Sequence, residues 1–223
     1  MALLIGIDDA GRGPVIGPMI LAGILIDKKD EPLLKELGVK DSKKLTPEKR
    51  QEIVTHLKKY KYHVEFTSAE EIDSRTKIGI NLNKIEAIKA ANIINALTKE
   101  LNEKVKVVID CPSPNTKAWK GTVTGYLSKQ SLEVIELFCE HKADVNHLSC
   151  SAASIIAKTT RDNEVEKIKQ EIGIDFGSGY CSDPLTCKFL QEHSKQFEEK
   201  GIIRKSWDTW TQLKAKQEQK KLF

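Results

Sequence analysis

Two apolar runs near the start of the chain lie on either side of a short polar turn. The first run covers residues 3–7 and ends on two adjacent acids, Asp8 and Asp9, and the second covers residues 19–26. Runs this apolar predict strands that are buried on both faces. Neighbouring strand residues point to opposite faces of a sheet, so both acids can serve one site only if Asp9 begins the turn.

Strand and helix patterns alternate along the rest of the chain. Further strands are predicted over 62–66, 105–109 and 132–138, and helices over 31–38, 47–58, from 69, 85–101, 150–171, from 184 and from about 206. Thr46, Ser68 and Ser182 or Asp183 are the expected N-caps. This order predicts an α/β fold with a mixed sheet. We expect a domain over residues 1–183 and a helical C-terminal extension over residues 184–223.

Four acids follow apolar strand-like segments and lie beside turn residues: Asp8, Asp9, Asp110 and Asp144. Strand ends in an α/β sheet are where sites form. Carboxylates gathered there repel one another unless a cation is bound. Hard oxygen ligands favour Mg²⁺ or Mn²⁺, and two such ions can activate a water and stabilise the leaving oxygen of a phosphodiester.

The turn after the first strand contains Gly11, Arg12 and Gly13. Glycine tolerates positive φ and lets a ligand approach the backbone closely. Together with the acids, this turn indicates metal-assisted chemistry on a phosphate-containing substrate. The alternative is a hairpin whose turn is polar and has no binding role.

A second possible ligand set comprises four side chains in the middle of the chain: Glu140, His141, Asp144 and His147. On a helix, their spacing would suit a zinc or iron hydrolase. Asn146 and Ser149 favour a loop there, which makes this alternative the weaker one.

One side of the helix predicted over 150–171 carries an unusual polar stripe, made of Ser151, Ser154, Lys158, Arg161 and Asp162. The spacing of three or four residues places these side chains on one face. A plain solvent face usually carries glutamates as well.

Composition limits the class of protein. The chain of 223 residues is 39% hydrophobic and 30% charged, and its five cysteines form no CxxC pair. These features predict a globular cytoplasmic protein without structural zinc. No apolar run reaches 18 residues and the start lacks a basic leader, so we expect no membrane segment.

Charge is concentrated at the end of the chain. From Lys200 onward there are seven Lys/Arg and two acids, a net +5 within a total of +4. A basic end on a near-neutral body suits a polyanionic partner, and it suits a solvated helix equally well.

Several separated motifs span roughly residues 3–210: GIDDAGRGPVIGPM, VKDSKKLTPEKR, INLNKIEA, VVIDCPSPNT, EHKADVNHLSCSAASIIAKTTRD and FGSGYCSDPLT. Together they resemble those of the ribonuclease HII family, in its archaeal and eukaryotic-type branch. The resemblance implies a ribonuclease H-like fold with a mixed five-stranded sheet. It also implies a metal-dependent endonuclease that cleaves the RNA strand of RNA–DNA hybrids and cuts 5′ of ribonucleotides embedded in duplex DNA.

The resemblance also assigns roles to residues. The four metal ligands fall on Asp8, Asp9, Asp110 and Asp144. Gly11, Arg12 and Gly13 would read the ribonucleotide 2′-hydroxyl, the group that distinguishes RNA from DNA. Tyr180 would pack on the sugar at the RNA-to-DNA step, and Lys43 and Lys158 would contact phosphates.

One position departs from the family pattern. The family carries glutamate where this chain has Asp9, which is shorter by one methylene. A ligand displaced by about an ångström can cost ~10²-fold in rate. Two alternatives therefore stay open, namely a hybrid-binding protein with weakened catalysis and a related nuclease of different specificity.

The last five residues form a short pattern of their own. Gln219, Leu222 and Phe223 resemble the peptides through which proteins dock on DNA sliding clamps. The alternative is a charged terminus without a partner. The pattern predicts a sliding clamp as a second partner beside nucleic acid.

Overall fold

The computed structural model describes residues 2–40 and 45–219 of the chain. Its strands are β1 (Leu3–Ala10), β2 (Met19–Asp27), β3 (Lys61–Thr67), β4 (Val105–Asp110) and β5 (Ile135–Glu140). Its helices are α1 (Glu31–Glu36), α2 (Pro47–Leu57), α3 (Ala69–Lys77), α4 (Leu82–Thr98), α5 (Thr116–Thr124), α6 (Lys129–Val134), α7 (Ala143–Asn146), α8 (Leu148–Ile172), α9 (Pro184–Phe197) and α10 (Asp208–Gln219), with a 3₁₀ turn over Lys28–Asp30.

The five strands form one sheet in the order β3-β2-β1-β4-β5. β1 pairs antiparallel with β2 and parallel with β4, and β4 pairs parallel with β5. The predicted mixed five-stranded sheet with helices and a helical C-terminal region is therefore confirmed. In the parallel pair Ile7 is opposite Ile109, so the residues after them, Asp8 and Asp110, come to the same end of the sheet.

Local capping sets several helix starts as predicted. The Thr46 side chain accepts a hydrogen bond from the Lys49 backbone N–H, and Ser68 does the same for Glu71. Asp183 accepts from the Leu185 N–H in front of α9. Each bond satisfies a backbone donor that the first helical turn leaves without a partner.

Two short helices between β4 and β5 differ from the prediction. The segment expected to be a strand over 132–138 is helical up to Val134 and becomes β5 only from Ile135, and α5 was not predicted. Ser128 caps α6 by accepting from the Ser131 N–H, and Asn115 caps α5 by accepting from the Ala118 N–H. These polar caps override the strand preference of the apolar residues that follow.

The chain divides into two compact units. The first unit comprises 1–10, 20–65 and 82–160, and the second comprises 11–19, 66–81 and 161–223. The boundary predicted at residue 183 stays a prediction. No helix within the described residues is long and apolar enough to cross a membrane.

Each unit has its own apolar cluster. In the first unit, β2 residues pack against the first half of α8, namely Ile20, Ala22, Ile24 and Ile26 against Ala152, Ala153, Ile155 and Ile156. In the second unit, the second half of α8 and the C-terminal helices contribute Val165, Phe176, Phe189, Leu190, Phe197 and Trp210, together with Val15 and Ile16.

A glycine in β1 allows α8 to lie directly against the strand. A Cβ on Gly6 would lie 2.0 Å from the Ser149 carbonyl carbon and 2.3 Å from the Cys150 nitrogen. These are backbone atoms, so no side-chain rotation can relieve the overlap. Gly6 therefore sets the distance between β1, which carries Asp8, and the start of α8.

We expect Gly6→Ala to lower the free energy of unfolding by about 3 kcal/mol or more, because the helix must move away from the strand. Urea denaturation measures the change. Gly121→Ala in α5 is the matched control, since its Cβ would meet nothing within 4 Å. It should stabilise the protein by about 0.5–1 kcal/mol. Equal midpoints for Gly6→Ala and the unaltered protein would contradict the close approach.

Candidate active site

Three carboxylates converge in the first unit. Asp8 lies in β1, Asp110 ends β4 and Asp144 lies in α7. One ligand oxygen from each lies within 4.8 Å of the others, and Asp8 and Asp144 are only 6% and 4% exposed. The parallel pairing of β1 with β4 supplies the first two acids, and α7 brings in the third.

The electrostatics of this cluster call for a cation. Burial, together with the charges of Asp9 and Asp110, raises the pKa of Asp8 to about 8, whereas Ser154 acts in the opposite direction. The ionised form of Asp8 is therefore costly as long as only protein surrounds it. Hard, anionic oxygen donors at this spacing fit a divalent ion such as Mg²⁺ or Mn²⁺.

Backbone and hydroxyl groups orient the three acids. The Ala143 N–H donates to Asp110 Oδ1 at 3.1 Å, the Asp9 N–H donates to Asp8 Oδ1 at 2.8 Å, and the Ser151 hydroxyl donates to the Asp144 carbonyl. Lys142, with φ 59°, is the one non-glycine residue at positive φ in the described part of the chain. This rarely occupied conformation turns the chain from β5 into α7, which carries Asp144.

Asp9 has a different position. It still belongs to β1, where it pairs with Leu21, so it does not begin the turn. Because adjacent strand residues face opposite sides, its carboxylate lies outside the cluster of three. Its charge nevertheless raises the pKa of Asp8. Its role as a metal ligand stays a prediction.

The four alternative zinc ligands do not converge as one set. His147 Nε2 lies 2.9 Å from Glu140 Oε2, and His141 Nδ1 lies 3.1 Å from the Cys111 carbonyl oxygen. Among the described residues, neither histidine belongs to a group of converging ligand atoms. The loop expected around Asn146 is instead the one-turn helix α7.

The Gly11–Gly13 turn belongs to the second unit. Gly11 has φ +80°, and a Cβ there would lie 2.7 Å from both the Arg161 side chain and the Pro18 carbonyl oxygen. A Cβ on Gly13 would lie 3.5 Å from the Tyr180 ring. Close packing and a positive φ thus require glycine at position 11, whereas a Cβ at position 13 would make only an ordinary contact with Tyr180, which lies beside the turn.

The turn that carries Tyr180 is held by polar contacts. Asp183 Oδ2 accepts from the backbone N–H and the hydroxyl of Ser178, each at 2.7 Å, and these bonds lower the pKa of Asp183. Arg161 donates to the Ser178 carbonyl at 2.6 Å, and its guanidinium carbon lies 5.1 Å from the centre of the Tyr180 ring. The Tyr180 ring itself is 37% exposed and open to a ligand.

Only some of the remaining predicted site residues lie within the described part of the chain. Lys158 lies half-buried in the first-unit part of α8. Gln219 is exposed at the end of α10, whereas Lys43, Leu222 and Phe223 lie outside the described residues.

Three functional candidates were given no role from the sequence. Ser154 is buried beside Asp8, and Arg161 is buried beside Gly11 and Tyr180. The polar stripe on α8 contained both, and its lack of glutamate was the available signal. Nothing local in the sequence marked Arg204, which is also fully buried.

A mixed five-stranded sheet with converging carboxylates at the ends of neighbouring parallel strands is typical of metal-dependent nucleases of the ribonuclease H class. The family model for ribonuclease HII matches residues 5–210. The chain is 43% identical to the ribonuclease HII of Methanococcus maripaludis, over 99% of this chain and 91% of that protein. The chain therefore belongs to the ribonuclease HII family, whose members are metal-dependent endonucleases that hydrolyse RNA in RNA–DNA hybrids.

Two solved structures resemble the fold closely. The crystal structure of ribonuclease H2 from Pyrococcus horikoshii matches with a TM-score of 0.82 and 37% identity, covering 96% of this chain and 98% of that one. The ribonuclease HII in the PCNA:RNase HII complex from Archaeoglobus fulgidus matches with a TM-score of 0.77 and 35% identity, covering 92% and 95%.

We expect Asp110→Asn to remove most of the stabilisation that Mn²⁺ gives the protein. At about 100 times Kd, one bound ion adds roughly 2.7 kcal/mol, which is about 5–10 °C in Tm for a chain of this size. Without metal, the variant should be at least as stable as the unaltered protein, because one repelling charge is gone.

Calorimetry with and without Mn²⁺ checks both expectations. Glu136→Gln, which alters an exposed acid of β5, is the control and should keep the full metal-dependent shift. An undiminished shift in Asp110→Asn would show that the ion is bound elsewhere.

Proposed function

We propose that this protein cuts the phosphodiester bond 5′ of a ribonucleotide, both in RNA–DNA hybrids and where single ribonucleotides are embedded in duplex DNA. The products would carry 3′-hydroxyl and 5′-phosphate ends. The observation that supports this most directly is the convergence of Asp8, Asp110 and Asp144 within 4.8 Å.

The acids would act by holding metal. Two bound divalent ions, Mg²⁺ or Mn²⁺, would lower the pKa of the attacking water and stabilise the leaving oxygen. Asp8, Asp110 and Asp144 would hold the ions, and Asp9, which lies outside this cluster, would complete the ligand set only by a local change at the end of β1. Ser154, which favours the charged form of Asp8, would help that carboxyl to lose its proton when the ions bind.

The turn would select the ribonucleotide. We propose that backbone N–H groups of Gly11–Gly13 donate to the 2′-hydroxyl oxygen, which DNA lacks. Tyr180 would pack on the sugar at the RNA-to-DNA step, and its position beside Gly13 supports this role. Lys158, and Lys43 outside the described residues, would contact phosphates.

The shorter acid at position 9 would weaken catalysis in Mg²⁺. Aspartate reaches less far than the glutamate that the family carries there, and Asp9 lies outside the cluster of three carboxylates. Mg²⁺ demands near-ideal octahedral coordination, so a ligand that falls short weakens its binding. Mn²⁺ accepts the same oxygen ligands and should compensate better for an imperfect ligand set.

Cleavage of a DNA duplex with one embedded ribonucleotide tests the proposal. We expect cutting only 5′ of the ribonucleotide, faster in Mn²⁺ than in Mg²⁺. Asp9→Glu should raise the rate in Mg²⁺ by up to about 100-fold, since it restores the longer ligand. Asp110→Asn should abolish cutting, and Glu136→Gln should leave it unchanged. End-labelled products on a sequencing gel give both site and rate.

Two outcomes would favour the other hypotheses. Tight binding of the same duplex without cutting in either metal would indicate a hybrid-binding protein disabled by Asp9. Cutting of an all-DNA duplex at a comparable rate would indicate a nuclease of different specificity.

We also propose that the C-terminal residues dock on a DNA sliding clamp. The A. fulgidus relative, 35% identical, is seen in a complex with PCNA. In this chain Gln219 is exposed at the end of α10, and Leu222 and Phe223 follow it in the sequence. Such a partner would bring the enzyme to replicating DNA in the cytoplasm.

Deleting residues 219–223 should abolish capture of the enzyme by an immobilised clamp without changing its rate on the ribonucleotide duplex. Surface plasmon resonance measures the first and the cleavage assay the second. Lys216→Ala, which removes a basic side chain of α10 and spares the pattern, is the control. Unchanged clamp binding after the deletion would exclude this docking mode.

A further inference from the structure

A buried arginine binds the backbone of the Gly11–Gly13 turn from the inside of the second unit. Arg204 is 0% exposed. Its Nη2 donates to the Gly11 carbonyl at 2.6 Å, its Nη1 to the Arg12 carbonyl at 2.8 Å, and its Nε to the Gly17 carbonyl at 3.0 Å. One guanidinium group therefore holds three carbonyls, two of them in the turn.

Trp207 binds the third carbonyl of the turn. Its Nε1 donates to the Gly13 carbonyl at 3.2 Å, and its ring lies over the Arg204 guanidinium, 4.8 Å from the ring centre. Arg204 and Trp207 together therefore hold the carbonyls of Gly11, Arg12 and Gly13.

The segment that carries both side chains is itself fixed. The backbone N–H groups of Lys205 and Ser206 donate to the two oxygens of Asp73, at 2.7 and 2.9 Å, and the Ser206 hydroxyl donates to the same carboxylate at 2.6 Å. The Arg204 N–H donates to the Val15 carbonyl at 2.8 Å. The two side chains consequently reach the turn from a rigid support.

Capturing these carbonyls also sets the direction of the amides. A peptide group is planar and trans, so the N–H of a residue points opposite to the carbonyl of the residue before it. Holding the Gly11 and Arg12 carbonyls therefore directs the N–H groups of Arg12 and Gly13 away from Arg204. Donors fixed in advance bind an oxygen without a further ordering cost.

The arrangement requires arginine. Burial, and then the charge of Arg161, lowers the pKa of Arg204 to about 9, so the group is still a cation at neutral pH. A guanidinium presents five donors in a planar fork, whereas lysine concentrates its donors on one nitrogen. Lysine can reach one or two of the carbonyls and leaves the others without a buried partner.

We infer that Arg204 and Trp207 are positioning residues for ribonucleotide selection, which act by aiming the amides of Arg12 and Gly13 at the 2′-hydroxyl. The inference rests on the proposed function of the Gly11–Gly13 turn. Neither side chain is assigned to contact the substrate. Their effect is confined to how strongly the enzyme prefers a ribonucleotide over a deoxyribonucleotide at the same position.

The experiment measures that preference as a ratio, namely Kd for the all-DNA duplex divided by Kd for the duplex with one ribonucleotide. Fluorescence anisotropy in Ca²⁺, under conditions where no cutting is detected, gives Kd for a duplex with one ribonucleotide and for the same duplex made wholly of DNA. Three variants are compared with the unaltered protein. Trp207→Phe keeps the ring over Arg204 and removes one donor, Arg204→Lys keeps the charge, and Trp210→Phe alters a buried tryptophan of the nearby core.

We expect Trp207→Phe to lower the ratio about threefold to tenfold, as the loss of one hydrogen bond implies. Arg204→Lys should lower it about ten- to hundredfold, because it disturbs charge-assisted bonds. Kd for the all-DNA duplex should not change in either case, and Trp210→Phe should leave the ratio unchanged. The cleavage assay should show the same losses in kcat/KM for the ribonucleotide substrate.

Two results would overturn the inference. An unchanged ratio in Trp207→Phe and in any folded Arg204→Lys, with only Tm lowered, would show a purely structural role. Equal losses for both duplexes would show general loss of binding. If the unaltered protein itself has a ratio near one, the proposed reading of the 2′-hydroxyl fails and this inference fails with it. If the unaltered protein has a high ratio and the variants keep it, only this inference fails.

Discussion

The repulsion among three converging carboxylates is the constraint on which the first unit depends. One oxygen each of Asp8, Asp110 and Asp144 is held within 4.8 Å of the others by two parallel strands and a one-turn helix. Such a cluster is unfavourable by itself, and burial together with neighbouring charges raises the pKa of Asp8 to about 8. The sheet therefore maintains an arrangement of carboxylates that a bound divalent cation stabilises, which is what a metal-dependent nuclease requires.

The second unit contains the opposite charge in a comparable setting. Arg204 is buried as a cation and donates to the carbonyls of Gly11, Arg12 and Gly17, and the charge of Asp73 also favours its charged form. Arg161 is likewise buried, beside Tyr180 and the Ser178 carbonyl. In both units, buried charged groups fix the geometry of the backbone or of a ligand site. We propose that the first arrangement serves metal binding and the second the choice of nucleotide.

Much of the fold followed from local rules. The helix starts at Thr46 and Ser68, the edge strand β3 and the long helix α8 were predicted because caps, alternation and apolar periodicity act within a few residues. The failures have the same origin. Ser128 and Asn115 each cap a short helix with too few apolar residues to show a helical period. The apolar residues over 132–138 therefore predicted a single strand.

For the site, the sequence by itself determined which groups are available, namely four acids after strand-like runs, a glycine turn with an arginine, and the motifs of a nuclease family. Only the tertiary structure decided which of them meet. It joined three acids and left Asp9 on the other side of its strand, because side chains alternate along β1. It also placed Arg204 on carbonyls 187 to 193 residues earlier in the chain. No local pattern encodes such a contact, since it exists only once the chain has folded.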